Sequence, residues 1–578
     1  MNHLKVLNPF FLKYKWHFLG GLLFVALSTI FKIYQGVIVR NGSNTIMEII
    51  GSKQSVDSLI FIRHGVTLII LALISGLFMF LMRQTIIVMS RHIEYDQKNQ
   101  IYKHYQKLDT SFFKTNTTGD LMNRISEDVG RVRMYTGPAI MYLANTVVTT
   151  ITVLIFMLSI NVKLTLLVFL PLPVLSLLIY RVSDMINKRS ISVQEELSNL
   201  TTQAQETFSA IRVIKAYARE NFFAGQMREK SEVYRTRALQ LANIEALFGP
   251  TMVLMIGMSV LITVWYGGTL TIQGKIEPGN IPEFIIYVFY MTWPFASLGW
   301  VTSLIQRASA SQQRINEFLQ STPLVRNNNN KQYEFEGDIE FKNVSFVYPE
   351  NNIQALDDVS FTIKKGQTVG ITGAVGSGKS TIISLLTRQY DVTSGAILVD
   401  GKNIKEHNLD LLRKNSGVVT QEVFLFSDSI HNNIAFGDHN STNTLQVEQA
   451  AKDAGVYENI NSFPLKFETM VGERGVTLSG GQKQRISIAR AIIGKPRMLF
   501  FDDCLSAVDV ETEEQILNNL RREMKGKTSI IVSHRISTIK DADLILFLKD
   551  GKILEAGTHS ELLDKKGVYY KLNQMQSN

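Results

Sequence analysis

The sequence predicts a multidomain membrane protein: an all-α domain of six transmembrane helices with long cytoplasmic helical extensions, then an α/β domain on a largely parallel sheet. Three observations lead there. Long apolar runs fill the first part of the 578 residues, up to about Arg307. Beyond Tyr333, short strand-like runs alternate with helical ones. Between one such strand and the helix after it stands a glycine-rich loop.

The membrane part comes first. A helix needs roughly 20 apolar residues to cross a bilayer core, and six stretches qualify, near 16–38, 66–88, 138–160, 164–181, 248–272 and 281–305. The third and fourth are joined by "NVK", a tight hairpin. The second-to-third and fourth-to-fifth connections are long, polar and rich in helix formers, so they are expected to prolong the membrane helices. They also carry many basic residues where the short loops hold few, which puts them, both termini and the α/β domain on the cytoplasmic side. Lys32 is the most prominent charge inside a span. It is expected near the far end of the first helix, where a lysine snorkels; an anionic-substrate contact is the alternative. The sixth span, "FIIYVFYMTWPFASLGW", is dense in aromatics, which suits interfacial anchoring and helix packing or the wall of an apolar pocket.

Composition narrows the partners. The net charge of +9 comes without a dense basic tract, so membrane-flanking Lys and Arg explain it, and no nucleic-acid partner is expected. The single cysteine, Cys504, excludes an intrachain disulfide and reads as a small buried residue in a reducing compartment. The start, "MNHLKVLNPFFLKYKWHFLGGLLF", lacks a small-residue cleavage site and reads as a cytoplasmic elbow before a retained first helix.

The expected division is a membrane domain over 1–320, a linker over 321–335 that includes the aperiodic "RNNNNKQ", and a nucleotide-binding domain over 336–578. Within the last, "IEFKNVSFVY", "LDDVSFTI", "TVGITG", "GVVTQ", "RMLFFDD", "TSIIVSH" and "LILFLKDGKILEAG" read as strands.

The chemistry sits among these strands. In "TVGITGAVGSGKSTIISLL", Gly373, four residues, then Gly378-Lys379-Ser380 fit the phosphate-loop pattern between strand and helix. Its glycines let backbone N–H groups wrap phosphate oxygens at a helix N-terminus. Lys379 is suited to the β- and γ-phosphates and Ser380 to Mg²⁺. Gly376, Ser377 and Thr381 complete the expected nucleotide-binding set. In "MLFFDDCLSAVD" an apolar strand delivers Asp502, a carboxylate for Mg²⁺, followed by Asp503, the candidate for polarising the attacking water. "LSGGQKQRISIARAI" places Ser479, Gly480, Gly481 and Gln482 before a second helix, another anion-seeking N-terminus. Two such ends imply two nucleotides, or one shared between two domains.

With "LSGGQ" unaltered, the chain resembles the ATP-binding-cassette (ABC) transporters over essentially its whole length, specifically exporters with a six-helix membrane domain fused ahead of one α/β P-loop nucleotide domain. The resemblance implies that Tyr348 in "FVYPE" stacks on adenine. It implies that Gln421 in "VVTQEVFLF" senses Mg²⁺ and the membrane domain, and that His534 in "IVSHR" contacts the γ-phosphate. On this pattern the catalytic residues are Asp503, His534 and Gln421, with Mg²⁺ at Ser380, Gln421 and Asp502. The resemblance further implies that Val471 to Gly475 and Ser506 to Asp509 are contact loops, and that 111–117 and 209–217 form coupling helices at the loop tips.

Members of this family close two nucleotide domains head to tail, each ATP lying between one phosphate loop and the other's signature. One of each here implies a dimer. Where such strands often end in Asp-Glu, this one ends in Asp502-Asp503, withdrawing the acid by roughly one C–C bond; misplacement by about 1 Å costs about a hundredfold in rate. "DDCLSAVD" also resembles the Asp-bearing subunits of heterodimeric bacterial multidrug or lipid exporters. The expectation is an ATP- and Mg²⁺-dependent exporter of a hydrophobic or amphipathic substrate in the bacterial cytoplasmic membrane. It would be one half of a heterodimer with a second half-transporter, contributing a degenerate site. A homodimer with two slow sites, or an ATP-gated regulatory or channel-like protein, is the alternative. The short cytoplasmic start leaves no room for an additional N-terminal protease-like domain.

Overall fold

The computed structural model describes residues 2–52, 58–327, 329, 331, 333–438, 443–472, 478–504 and 510–577. It divides into two compact units, Met1–Tyr105 with Gly119–Ser321, and Gln106–Thr118 with Thr322–Asn578.

The first unit is helical. Among the described residues, five helical runs are long and apolar enough to cross a membrane: Lys15–Gly51, Leu59–Tyr105, Thr118–Ile160, Glu220–Ile272 and Asn280–Gln320. At 1.5 Å per residue the 48-residue helix Ser58–Tyr105 is about 70 Å long, more than twice a hydrocarbon core, as helical extensions require. The expected fourth span, 164–181, is not among the five. It is divided at Leu170 between the helices Val162–Phe169 and Pro171–Ser209. Pro171 has no N–H for the Leu167 carbonyl, which instead accepts from Leu170 N at 3.3 Å, so the ladder breaks there.

The first helix also runs past its apolar stretch to Ser52, so Lys32 lies well inside it rather than near its end. Its ammonium stands 4.4 Å from the centre of the Tyr290 ring. Close helix approach in this unit depends on small residues. A Cβ on Gly36 would sit 2.7 Å from Tyr287 Cε1. Beside that contact the fully buried Glu283 carboxylate accepts from Tyr287 Oη at 2.9 Å and Asn280 Nδ2 at 3.0 Å, with Arg40 at 3.7 Å.

Among its described residues the second unit holds two sheets. The strands are β1 (Ile339–Val347), β2 (Gln354–Ile363), β3 (Thr368–Gly373), β4 (Ser394–Val399), β5 (Lys402–Asn403), β6 (Ser416–Val419), β7 (Met498–Asp502), β8 (Thr528–Val532), β9 (Leu544–Lys549) and β10 (Lys552–Gly557). The larger sheet has the order β10-β9-β3-β8-β7-β6. All its pairings are parallel except β10 with β9. Every residue of β7 and β8 is buried, the near-continuous apolar composition of a sheet covered on both faces. The sheet expected as largely parallel is accompanied by a four-stranded antiparallel one, β2-β1-β4-β5. Its β4 and β5 were not among the expected strands. The core lies in two apolar clusters, one holding Phe341, Leu356, Ile371 and Phe500, the other Leu499, Phe501, Ile531 and Tyr569.

Short helices form at both expected loop tips, Thr110–Thr115 and Ile211–Ala216. The first belongs to the second unit. Asp109 caps it, accepting from Phe112 N at 3.2 Å, and the other oxygen of the same carboxylate accepts from Leu324 N.

Candidate nucleotide site

Four neighbouring parallel strands deliver the candidate residues to one edge of the sheet. β3 leads into the phosphate loop, β8 ends two residues before His534, β7 ends on Asp502, and β6 ends two residues before Gln421. The carboxyl ends of parallel strands are where open α/β sheets bind ligands. A cleft of about 320 Å³ there is lined by the phosphate-loop residues Gly376 to Thr381 and by Tyr348, Gln421, Asp502, Asp503 and His534.

The loop is glycine-dependent where its backbone turns. Gly373 (φ 146°) and Gly378 (φ 94°) occupy conformations that L side chains rarely adopt. A Cβ on Gly373 would lie 2.0 Å from the Leu548 carbonyl oxygen, and one on Gly378 2.2 Å from that of Ala355. Neither neighbour can yield without moving a strand. Gly378 then caps the helix Lys379–Leu386, whose N-terminus faces the cleft.

Lys379 folds back over its loop, donating to the carbonyls of Gly373 at 3.1 Å and Ala374 at 2.7 Å. Burial pushes its ammonium below the usual lysine range, and Asp502 and Asp503 pull it back up. Ser380 Oγ donates to Asp502 Oδ1 at 3.0 Å. Burial lifts the Asp502 carboxyl above the usual carboxylate range; the Ser380 hydrogen bond opposes this, and Asp503 adds to it. A buried ammonium and a buried carboxylate are thus both desolvated in one cleft, a state relieved by an anion near the first and a cation near the second.

Asp503 follows with a left-handed backbone (φ 45°), its N–H donating to Val532 O at 2.9 Å across the β7–β8 pair. Aspartate tolerates this conformation better than most residues. Cys504, next in the chain, is buried in the core.

Tyr348 closes the far side of the cleft, its hydroxyl 3.0 Å from Thr381 Oγ1. Its ring meets Phe346 and Tyr390 edge to face at 4.8 and 5.3 Å. The Lys114 ammonium stands 4.9 Å from the Tyr348 ring centre and 5.2 Å from that of Tyr390. Residue types alone do not announce Lys114, which is distant in the chain and reaches these rings only through the fold.

The donor set fits a magnesium nucleotide. Ser377 Oγ is buried without a hydrogen-bond partner, a Cβ on Gly376 would meet only open space, and the Lys379 ammonium rests on two loop carbonyls. Among the described residues no cluster of three His, Cys, Asp or Glu could hold a metal. One hydroxyl and one carboxylate, completed by phosphate oxygens and water, is the arrangement Mg²⁺ takes in phosphate-transfer sites.

The signature residues do not line this cleft. Ser479 caps the helix Gly480–Ile493: its Oγ accepts from Gln482 N at 3.3 Å, and Gln482 Oε1 accepts from Ser479 N at 3.0 Å. Ser479 and Gly480 are exposed. The loop expected at 506–509 and residues 473–475 of the one at 471–475 lie outside the described residues.

Residues 18–295 match the family model for the ABC transporter transmembrane region, and 356–506 that for the ABC transporter. The probable multidrug resistance ABC transporter ATP-binding/permease protein YheI of Bacillus subtilis (strain 168) is 39% identical over 481 residues, 83% of this chain and 82% of that protein. The chain belongs to the ABC transporter family. The multidrug resistance-like ATP-binding protein MdlA of Escherichia coli (strain K12) is 36% identical over 515 residues, 88% of this transporter and 87% of that protein. In three dimensions this ABC transporter is similar to a bacterial Atm1-family ABC exporter with ATP bound, with a TM-score of 0.82, 26% identity, and coverage of 97% and 99% of the two chains. The expected fold, a helical membrane domain fused ahead of an α/β nucleotide domain, holds in both family models and in the similar solved structure.

Proposed function

We propose that this chain is one half of an exporter that uses ATP to move a hydrophobic or amphipathic, drug-like or lipid-like substrate across the bacterial cytoplasmic membrane. Residues 1–320 would form the membrane domain, 321–335 the linker and 336–578 the nucleotide domain, with both termini cytoplasmic. The partner is a second ABC half-transporter, and this chain's own ATP site is the slower of the pair.

One observation carries the reading. Phosphate loop, Asp502, Gln421 and His534 converge on one cleft, while the position after Asp502 holds the shorter acid Asp503. Lys379 would exchange its two loop carbonyls for β- and γ-phosphate oxygens. Ser380, Asp502 and Gln421 would hold Mg²⁺, which when bound neutralises charge on the transferring phosphate. Tyr348 would take the adenine on its ring, and His534 would meet the γ-phosphate. Asp503 would orient water from a withdrawn position, so ATP is held firmly and cleaved slowly. Ser479 and Gly480, exposed, and the half-buried Gly481 and Gln482, none of which lines this cleft, suit the closing of a partner's site. The multidrug names of the similar bacterial proteins support the substrate class.

The test is to isolate the chain from its native membrane and identify what co-purifies. The reading expects a second half-transporter with Glu at the position of Asp503. Recovery of a homodimer with robust ATPase activity that Asp503→Ala abolishes would refute the degenerate site.

A further inference from the structure

The C-terminal helix, Val568–Ser577, is anchored at its start. The Glu555 carboxylate accepts from Val568 N at 2.7 Å and Tyr569 N at 3.1 Å, an anion placed where the helix dipole favours one. Tyr569 is fully buried, with its hydroxyl 2.7 Å from His559 Nδ1. Leu572 packs against the core one turn on.

About 12 Å along the axis from Val568, Gln576 reaches the loop that follows β8. Its Nε2 donates to the His534 carbonyl at 2.6 Å, and its Oε1 accepts from Ile536 N at 2.8 Å. The carbonyl can only accept and the N–H only donate, so the amide has a single orientation. It brackets the His534–Arg535–Ile536 turn as a neighbouring peptide group would. Upstream, the same segment is pinned where Ser533 N donates to Ile371 O at 3.0 Å. Downstream, Ile536 is buried and opens the short helix Ile536–Ile539. Gln576 does not line the nucleotide cleft; it lines a separate cleft with Arg535 and Ile536.

We propose that Gln576 is a positioning residue for ATP hydrolysis, holding His534 at the nucleotide cleft through these two backbone hydrogen bonds. The inference rests on His534 being the γ-phosphate contact proposed above. It links the far end of the chain to the chemistry, because an amide carries donor and acceptor together and few side chains replace it. A carboxylate keeps the acceptor for Ile536 N but turns a negative oxygen toward the His534 carbonyl.

The complex isolated from native membrane, reconstituted in lipid nanodiscs with the partner's phosphate loop disabled by mutation, is assayed by single-turnover ATP hydrolysis and, separately, by equilibrium ATP binding. Gln576→Ala is expected to lower the rate about tenfold, less than the roughly hundredfold of a 1 Å displacement because the segment keeps its other ties. ATP affinity stays within about twofold. Gln576→Glu is slow at pH 8 and regains activity only as the pH falls toward about 4.3, the ordinary pKa of a glutamic acid, where half of the side chains again offer a donor; the wild type shows no such acid gain. Hydrogen exchange at the Ile536 amide speeds up in Gln576→Ala. If His534→Ala hydrolyses like the wild type, the reading of His534 is wrong. If His534→Ala is inactive while Gln576→Ala keeps the wild-type rate, or Gln576→Glu keeps the wild-type pH profile, the role of Gln576 is refuted. The pH profile decides even where Gln576→Ala unseats the helix.

Discussion

Replacing Asp503 by Glu probes the altered centre directly. The extra methylene advances the carboxylate by about 1.5 Å. Since a misplacement of about 1 Å costs about a hundredfold, restoring reach is worth up to about 2.7 kcal/mol in barrier height. The backbone opposes the exchange. Residue 503 has φ 45°, which aspartate tolerates and glutamate less so, at a cost of about 1 kcal/mol in stability. The expected outcome is therefore a rate rise of ten- to a hundredfold together with a melting temperature lower by about 2–4 °C, the shift expected for 1 kcal/mol in a domain of this size. Single-turnover hydrolysis by the complex isolated from native membrane, with a thermal scan of the same sample, measures both. An unchanged rate in a well-folded Asp503→Glu complex would refute the claim that the shorter acid limits this site.

Lys379→Met should weaken ATP binding at least thirtyfold, since it removes the cation facing the loop; equilibrium binding with wild-type affinity would exclude the cleft as the triphosphate site. Tyr348→Leu should weaken ATP about tenfold, a loss of stacking worth about 1–3 kcal/mol by analogy with base–aromatic contacts, and leave inorganic tripolyphosphate unaffected; equal losses for both would remove the base from that ring. Asp453 ends the helix Thr444–Asp453, where the dipole disfavours an anion, and burial holds its carboxyl above the ordinary range while the Gln449 hydrogen bond opposes this. A raised folded-state pKa means a contribution to stability present below the unfolded pKa and lost as pH rises through the folded one. Asp453→Asn should therefore raise the melting temperature at pH 7–8, with the gain fading below about pH 4; a gain independent of pH would point to another cause.

Local grammar made most of the candidate cleft's lining legible. Gly373, Gly378, Lys379 and Ser380 declare themselves within eight residues, because the turn needs its glycines and the phosphate its lysine. Asp502 is announced by the apolar strand before it. Long-range placement was not legible. Lys114 and Gln576 reach Tyr348 and His534 across more than 40 residues of chain, and nothing in their immediate surroundings signals it. The division of the fourth span at Leu170 was not legible, because apolarity continues through Leu164 to Ile179 while Pro171 removes a backbone donor. Hydropathy sees the side chains and not the missing hydrogen bond. Likewise β4 and the two-residue β5 take their identity from pairing with β1 and with each other.

The resting posture of Lys379 has a consequence for which nucleotides are told apart. With its ammonium leaning on two carbonyls of its own loop, the loop is closed by an internal tether, and a ligand opens it only by presenting oxygens at the same reach. Adenosine monophosphate would stop short of that point and leave the tether fastened. On the proposed reading, discrimination between charged and spent adenylates would begin in a single side chain choosing between peptide oxygen and phosphate.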